Sequence, residues 1–172
     1  MSNTADSTVT FFALDPAVLA AVREQVRPPV PAFPGHVLSL EAAVPTGLDV
    51  NAWDHERAFA AWGTSRPEVD TELLEERADR LVYGLGTPWS GPETVWRTLS
   101  AQHPGLVVHS VSSDGSEFRS CGWYVGGRAV RWEEDDVPGL EEAQARGEDL
   151  EVTFPEDWAF SEAVARELLA GG

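Results

Sequence analysis

Lysine is absent from this chain of 172 residues, so the twelve basic residues are all arginine. Against them stand 29 acidic residues, which gives a formal net charge of −17. A protein that binds nucleic-acid phosphates needs a basic face for counterion release, and an anionic membrane surface makes the same demand. The composition therefore argues against nucleic acid and membranes as partners.

Cysteine is nearly absent, and long apolar runs are missing. The single Cys121 excludes an internal disulfide framework and a multi-cysteine zinc site. No window approaches the roughly 18 apolar residues of a transmembrane helix, and the N-terminus lacks the basic start of a secretory signal. We therefore expect a soluble protein in the reducing cytoplasm. The apolar share of 42% is enough to form the core of one domain.

Motifs for catalysis and metal binding are also missing. The chain has no Gly-x-Ser-x-Gly nucleophile elbow, no glycine-rich phosphate loop and no calcium loop. The histidines at 36, 55, 103 and 109 contain no closely spaced pair that would suit a metal. Asp54, His55 and Glu56 are consecutive, so on a helix they point in different directions. We predict no catalytic residue, no metal and no cofactor, which favours a non-enzymatic protein.

Composition divides the chain into three zones. Residues 1–35 begin with polar chain, continue as a helix that starts at the cap Asp15, and end in a proline-rich linker. Residues 36–132 alternate strand and helix patterns. Residues 133–172 form an acidic segment and a C-terminal helix over about 157–170. Within this last zone, positions 133–157 hold eleven acidic residues and one arginine, a local net charge of −10.

The middle zone has a regular order of elements. Apolar alternation predicts strands over 36–44, 67–75, 79–87 and 128–133. Helical spacing predicts a helix over 51–62 with Phe59 on its buried stripe, and a capping box predicts another from Ser90. Asp114-Gly115 predicts a type I′ hairpin, and Gly126-Gly127 predicts a second tight turn. We therefore predict an α+β fold: a ferredoxin-like βαββαβ antiparallel sheet with two helices on one face, an added edge strand, and helical extensions at both ends.

Three motifs in this zone resemble the YubB-type ferredoxin-like domain family of plasmids, phages and bacterial chromosomes. They are a first strand that ends at Pro45, a Trp62-Gly63-Thr64 helix end, and the turn that runs from Thr87 to Ser90. The match covers about residues 36–131. Ser65-Arg66-Pro67 departs from the basic residue and second tryptophan that members often carry there, and Pro92 comes one residue late. The resemblance implies the fold and implies no activity.

Trp89 and the acidic run Glu133, Glu134, Asp135 and Asp136 are the candidate partner-binding residues. Trp89 either forms an exposed anchor of the kind that binding hot spots favour, or plugs the helix–sheet junction. The acidic run either attracts a basic partner over long range or is a solvated charge run. We predict a non-enzymatic protein-binding module that acts on a basic protein. An inhibitor, an immunity-type protein or a mobile-element accessory protein would each suit this description.

Three alternatives stay open. The first is an acidic mimic of nucleic acid. The second is a small enzyme or small-molecule binder with a pocket lined by tryptophan, histidine and cysteine. For this one, Arg119 shares a strand face with Cys121, and His109 lies on the predicted partner strand, as an activated thiolate would require. In the third, the acidity is a proteome-wide adaptation to salt and says nothing about partners.

Overall fold

The computed structural model describes residues 4–148 and 151–171. Its strands are β1 Thr4–Phe12, β2 Val69–Glu76, β3 Arg80–Pro88, β4 Val107–Ser113, β5 Phe118–Val125 and β6 Arg128–Asp136. Its helices are α1 Pro16–Val26, α2 Leu40–Ala43, α3 His55–Trp62, α4 Glu93–Gln102, α5 Leu140–Arg146 and α6 Glu162–Ala170, and a 3₁₀ turn covers Glu156–Trp158.

The strands form one open sheet in the order β2-β3-β1-β4-β5-β6, and every neighbouring pair is antiparallel. The predicted α+β class and the antiparallel sheet are therefore confirmed. β2 and β6 are the two edges. β1 lies in the middle, where it pairs with β3 on one side and with β4 on the other.

β1 falls in a segment for which the sequence predicts only polar chain. Its sequence TADSTVTFF contains four serine or threonine residues, and both of its faces are covered, so no simple period of two is visible. Threonine is nevertheless a good strand residue. The buried hydroxyl of Ser7 finds its partner on the neighbouring strand, since the Oγ atoms of Ser7 and Ser112 lie 2.7 Å apart across the β1–β4 pair.

The strand predicted over 36–44 is wrong. Ser39 instead caps the single turn of α2, where its Oγ accepts a hydrogen bond from the amide of Ala42. The carboxylate of Glu68 accepts from the amide of Leu40 at 2.9 Å, which satisfies a second free donor at the helix start. Leu40 and Ala43, three residues apart, are both buried. The apolar residues of this segment fit both the strand period of two and the helical spacing of three to four. The two capping hydrogen bonds favour the helix.

Helix α1 begins and helix α3 ends at the residues that the sequence predicts. Asp15 caps α1 through the amide of Ala17, and Gly63 ends α3 at a φ of +80°. The capping box at Ser90 is wrong: α4 begins only at Glu93, because the Ser90 hydroxyl donates to the carbonyl of Gly63. In the part of the chain that the structure describes, no helix has the length and apolar character needed to cross a membrane.

Both faces of the sheet are covered. One face packs against α1–α4, with Phe11 edge-on to Tyr83 and Trp96 at centroid distances of 5.9 and 5.7 Å. The other face packs against the C-terminal chain, where Trp123 stacks on Phe160 at 5.7 Å. The predicted C-terminal helix is present there as α6.

The turns at the two ends of β5 differ in how well the sequence predicts them. Gly126 and Gly127 both have positive φ, as a tight turn between β5 and β6 requires. The β4–β5 turn is at the predicted place, but it is not type I′, because Asp114 lacks the positive φ that this type needs. Instead its carboxylate accepts from the amides of Ser116, Glu117 and Phe118 and closes a longer loop.

Candidate functional site

A cleft of about 320 Å³ opens between α3, the start of α4 and the strands β5 and β6. It lies on the sheet face that carries α1–α4. Its rings come from Phe59, Phe118 and Trp132, and its carboxylates come from Glu93 and Glu134. Gly63, Ser90, Gly91 and Thr94 complete this aromatic cleft. All ionisable side chains that line it are therefore acidic.

Two of the rings are substantially exposed. Phe59 is 56% exposed and Trp132 is 43% exposed. The prediction that Phe59 lies on the buried stripe of its helix is wrong, because Ala58 and Trp62 occupy the core side of α3. Exposed rings grouped around a concavity are typical of a binding surface.

Glu93 is the more enclosed of the two carboxylates. Its Oε1 accepts a hydrogen bond of 2.8 Å from the indole Nε1 of Trp132. Burial raises the pKa of Glu93 above its usual value, and the nearby Glu134 adds to this rise; the bond from Trp132 and the charge of Arg97 oppose it. A cation that entered the cleft would favour the ionised form.

Glu134 is the second carboxylate and is exposed on β6. It makes no hydrogen bond or ion pair with any other residue of the described chain. Its charge is therefore available to a ligand. Together with Oε2 of Glu93, it gives the aromatic cleft acceptors to which no donor among the described residues is bound.

The loop before α4 is locked to the end of α3. Thr64 Oγ1 donates to the carbonyl of Pro88 at 2.9 Å, and Ser90 Oγ donates back to the carbonyl of Gly63 at 2.7 Å. Trp89 sits between these bonds with a φ of +69°, and it is 64% exposed. Trp89 therefore does not plug the helix–sheet junction. Its side chain is presented to solvent beside Ser90 and Gly91, which line the aromatic cleft.

The four acidic residues of the run 133–136 do not converge. They lie on β6, which is longer than predicted, so successive side chains point to opposite faces of the sheet. Glu134 lines the aromatic cleft, whereas Glu133 and Asp135 face the other side and approach Arg131 and Arg119 at 3.4 and 2.8 Å. The bond from Arg119 holds the pKa of Asp135 below its usual value.

Asp136 lines a different depression, of about 440 Å³, which it shares with α5. Glu117, Glu141 and Glu142 also line this depression. Val137, Gly139 and Leu140 complete its lining, which contains no aromatic ring.

His109 and Cys121 do lie together, as the pocket alternative requires, but in a packed core. His109 Nε2 donates to the carbonyl of Trp158 at 2.8 Å, and Cys121 Sγ is 3.6 Å from that nitrogen. Burial lowers the pKa of His109 to about 4 and raises the pKa of Cys121 to about 11. Arg119 is bound to Asp135 and to the carbonyl of Thr153. The thiol therefore stays protonated at neutral pH and fills space as an apolar group.

The remaining histidines make structural hydrogen bonds. His36 Nε2 lies 2.6 Å from the Glu68 carboxylate in the core, and His103 Nε2 lies 2.6 Å from the side-chain oxygen of Gln25. His55 lies at the surface near the carbonyl of Ser65. Within residues 4–148 and 151–171, no group of three histidine, cysteine or acidic side chains could hold a metal ion.

Sequence reasoning missed Trp132, Glu93 and Phe118 as site residues. The usable signal was the spacing of two between Trp132 and Glu134, which puts both side chains on one face of a strand. The strand predicted over 128–133 stops before Glu134, so the prediction does not reveal this shared face. Nothing in the sequence indicates that the start of α4 brings Glu93 to the same place.

Comparisons of the chain with family models, with curated proteins and with solved structures found no match.

Proposed function

We propose that this chain is a non-enzymatic protein-binding module that recognises a basic segment of a partner protein through the aromatic cleft. The observation that carries the proposal is the lining itself, which combines exposed rings with carboxylates and contains no cation. An inhibitor, an immunity-type protein or a mobile-element accessory protein would each use such a surface.

The lining suits an arginine or lysine side chain. A guanidinium or ammonium group over the face of Trp132 gains a cation–π interaction of roughly 0.5–2 kcal/mol. The carboxylates of Glu93 and Glu134 can accept its hydrogen bonds, and charge-assisted bonds of this kind are about twice as strong as neutral ones. Phe59 can cover the apolar stem of the side chain.

The charge of the whole chain adds a kinetic contribution. A net charge of −17 raises the local concentration of a basic partner and speeds association, more strongly at low salt than at high salt. This attraction has no specificity of its own. The aromatic cleft supplies the part that depends on particular residues.

We also propose that the first four strands and the helices between them form a ferredoxin-like unit, extended by β5 and β6. The neighbour order β2-β3-β1-β4 supports this, because each βαβ connection then skips one strand, as in a split βαβ motif. The unit begins at β1 and not at residue 36. The two hydrogen bonds between the Trp62-Gly63-Thr64 and Thr87–Ser90 motifs support the proposed YubB-type relationship.

The test is binding of an acetylated, amidated hexa-arginine peptide, followed by fluorescence anisotropy. The wild-type chain is compared with the double variant Glu93→Gln/Glu134→Gln. The matched control is Glu141→Gln/Glu142→Gln, which removes the same charge from the depression that Asp136 shares with α5. We expect the cleft variant to bind at least tenfold more weakly and the control to change less than threefold.

Two results would contradict the proposal. If both double variants lose affinity equally, the peptide responds to overall charge and the aromatic cleft has no special role. If the wild-type chain does not bind the peptide at all at low salt, a basic segment is not its ligand.

A further inference from the structure

We infer that the open edge of β6 receives an extended basic segment of the partner as an additional antiparallel strand, whose side chains on one face enter the aromatic cleft. The inference rests on the proposed function and adds to it the conformation of the bound segment. It is carried by the hydrogen-bonding groups that β6 leaves unpaired.

The direction of these groups follows from one bond at the end of β6. The amide of Val137 donates to the carbonyl of Glu117, so the backbone hydrogen-bonding groups of Val137 point towards β5. In an antiparallel pair this direction alternates along the chain, so the amides and carbonyls of residues 132, 134 and 136 point away from β5. Asp136 agrees with this, because its amide donates to the Oδ1 of Asp135 instead of to β5.

Trp132 and Glu134 therefore present unpaired backbone groups along the edge of the sheet. No described residue makes a hydrogen bond to their outward amides. Both side chains line the aromatic cleft. The residues that would hold an added strand are thus the residues that would contact its side chains.

The register of an antiparallel strand strengthens this link. Residues directly opposite each other in an antiparallel pair share a face of the sheet. A residue opposite Trp132 or Glu134 would therefore both bond to the edge and direct its side chain to the cleft face. An arginine at that position could reach the free Oε2 of Glu93.

The other edge of the sheet is poorly suited to such pairing. β2 has register shifts between Val69 and Glu72 and between Leu73 and Glu75, and Asp70 has a φ of +50°. Irregularities of this kind protect an edge from another strand. From Arg131 to Asp136, by contrast, β6 pairs with β5 without a shift.

Charge selects the occupant of this edge. The segment 131–136 holds one arginine and four acidic residues. A second copy of the same strand would bring acidic side chains opposite one another, which is destabilising. A basic extended segment meets opposite charge on both faces, since Glu134 lies on one and Glu133 and Asp135 lie on the other.

The test uses a nine-residue acetylated, amidated peptide that alternates arginine with valine. Two further versions carry N-methyl groups on backbone amides. In one version the methylated amides are those of the arginines, and in the other they are those of the valines. We expect methylation of the arginine nitrogens to weaken binding at least tenfold, because those amides would face β6. We expect methylation of the valine nitrogens to change affinity less than threefold.

The chain offers a matched pair of variants. Glu134→Ala removes the carboxylate and keeps the outward amide, whereas Glu134→Pro removes both. Because this amide points away from β5, proline at this edge position leaves the sheet bonds intact. We expect the proline variant to bind the peptide about tenfold more weakly than the alanine variant. Hydrogen exchange gives a readout that needs no variant: the peptide should protect the amides of Trp132 and Glu134.

The outcomes separate the two proposals. If the peptide needs Trp132 and Glu93 but is indifferent to methylation and leaves both amides unprotected, the added strand is wrong and the cleft proposal stands. If no arginine–valine peptide binds, both are overturned. If sedimentation shows dimers and the amides are protected without peptide, a second copy occupies the edge and this inference is overturned.

Discussion

The indole Nε1 of Trp132 donates a 2.8 Å hydrogen bond to Oε1 of Glu93, and this bond joins an edge strand to the first turn of a helix. It fixes the orientation of a ring that is 43% exposed. It also leaves Oε2 of Glu93 directed elsewhere, without a partner among the described residues. Ring and carboxylate are thus held together before any ligand arrives, which lowers the entropic cost of binding.

Two substitutions at Trp132 separate the ring from its hydrogen bond. Trp132→Phe keeps a ring and removes the donor, so we expect hexa-arginine to bind about threefold more weakly. Trp132→Ala removes both, and we expect a loss of about 30-fold, or roughly 2 kcal/mol. Val130→Ala, at an equally exposed position of β6, is the control and should leave the affinity unchanged. Equal affinities for Trp132→Ala and the wild type would show that the ring takes no part.

Binding should strengthen as the pH rises through the raised pKa of Glu93. A cation binds the ionised carboxylate, so protonation of Glu93 competes with it. The groups that act on Glu93 are the indole of Trp132, which donates to it, and the charges of Arg97 and Glu134. We expect Glu93→Gln to flatten the upper part of the pH profile and Glu134→Gln to preserve it. Peptide titrations between about pH 4 and pH 8 measure both, and identical profiles would contradict this role.

The raised pKa of Glu93 makes peptide binding stronger at higher pH, but it makes the fold less stable there. The folded-state pKa of Glu93 is raised, so folding favours its protonated form. That contribution is present below the unfolded-state pKa and is lost as the pH rises through the folded-state value. Glu93→Gln should therefore be more stable than the wild type at pH 7, with the gap closing in acid. Urea unfolding at both pH values tests this, and a variant less stable at pH 7 would contradict it.

How far sequence predicts this fold depends on whether a signal is local. The cap at Asp15 and the Gly126-Gly127 turn are complete within a few residues, and both are correct. α2 is not predicted, because one of the bonds at its start comes from Glu68, 28 positions away. β1 is not predicted, because it is rich in polar residues and the buried hydroxyl of Ser7 finds its partner, Ser112, only on a strand distant in sequence.

The candidate site shows the same limit. The sequence identifies Trp89 as a loop aromatic and Glu134 as a member of an acidic run, but it leaves open whether Trp89 is exposed or plugs the helix–sheet junction. The run itself is misleading, since strand alternation sends Glu133 and Asp135 to the opposite face. Glu93 and Phe59 reach the aromatic cleft only through the packing of α3 and α4 against the sheet, which no spacing in the sequence specifies.

Trp89 should show a conflict between stability and binding. Its φ of +69° is unfavourable for any residue with a Cβ atom, by roughly 1–2 kcal/mol. We expect Trp89→Gly to be about 1 kcal/mol more stable than Trp89→Ala, because both lose the ring and only glycine loses the strain. If Trp89 contacts the partner, both variants should bind it equally weakly. Equal stabilities in urea would show that the backbone relaxes once the indole is gone.

The buried imidazole of His109 should set the acid limit of the fold. Burial lowers its pKa to about 4, so its contribution to stability is present above the ordinary value near 6.5 and is lost as the pH falls towards 4. The full effect is on the order of 3 kcal/mol. His109→Gln retains a donor for the carbonyl of Trp158 and cannot titrate. Between pH 7 and pH 4.5 the wild type should therefore lose more stability in urea than this variant. His55→Gln, at the surface, should follow the wild type, and parallel curves for all three chains would show that His109 stays neutral throughout.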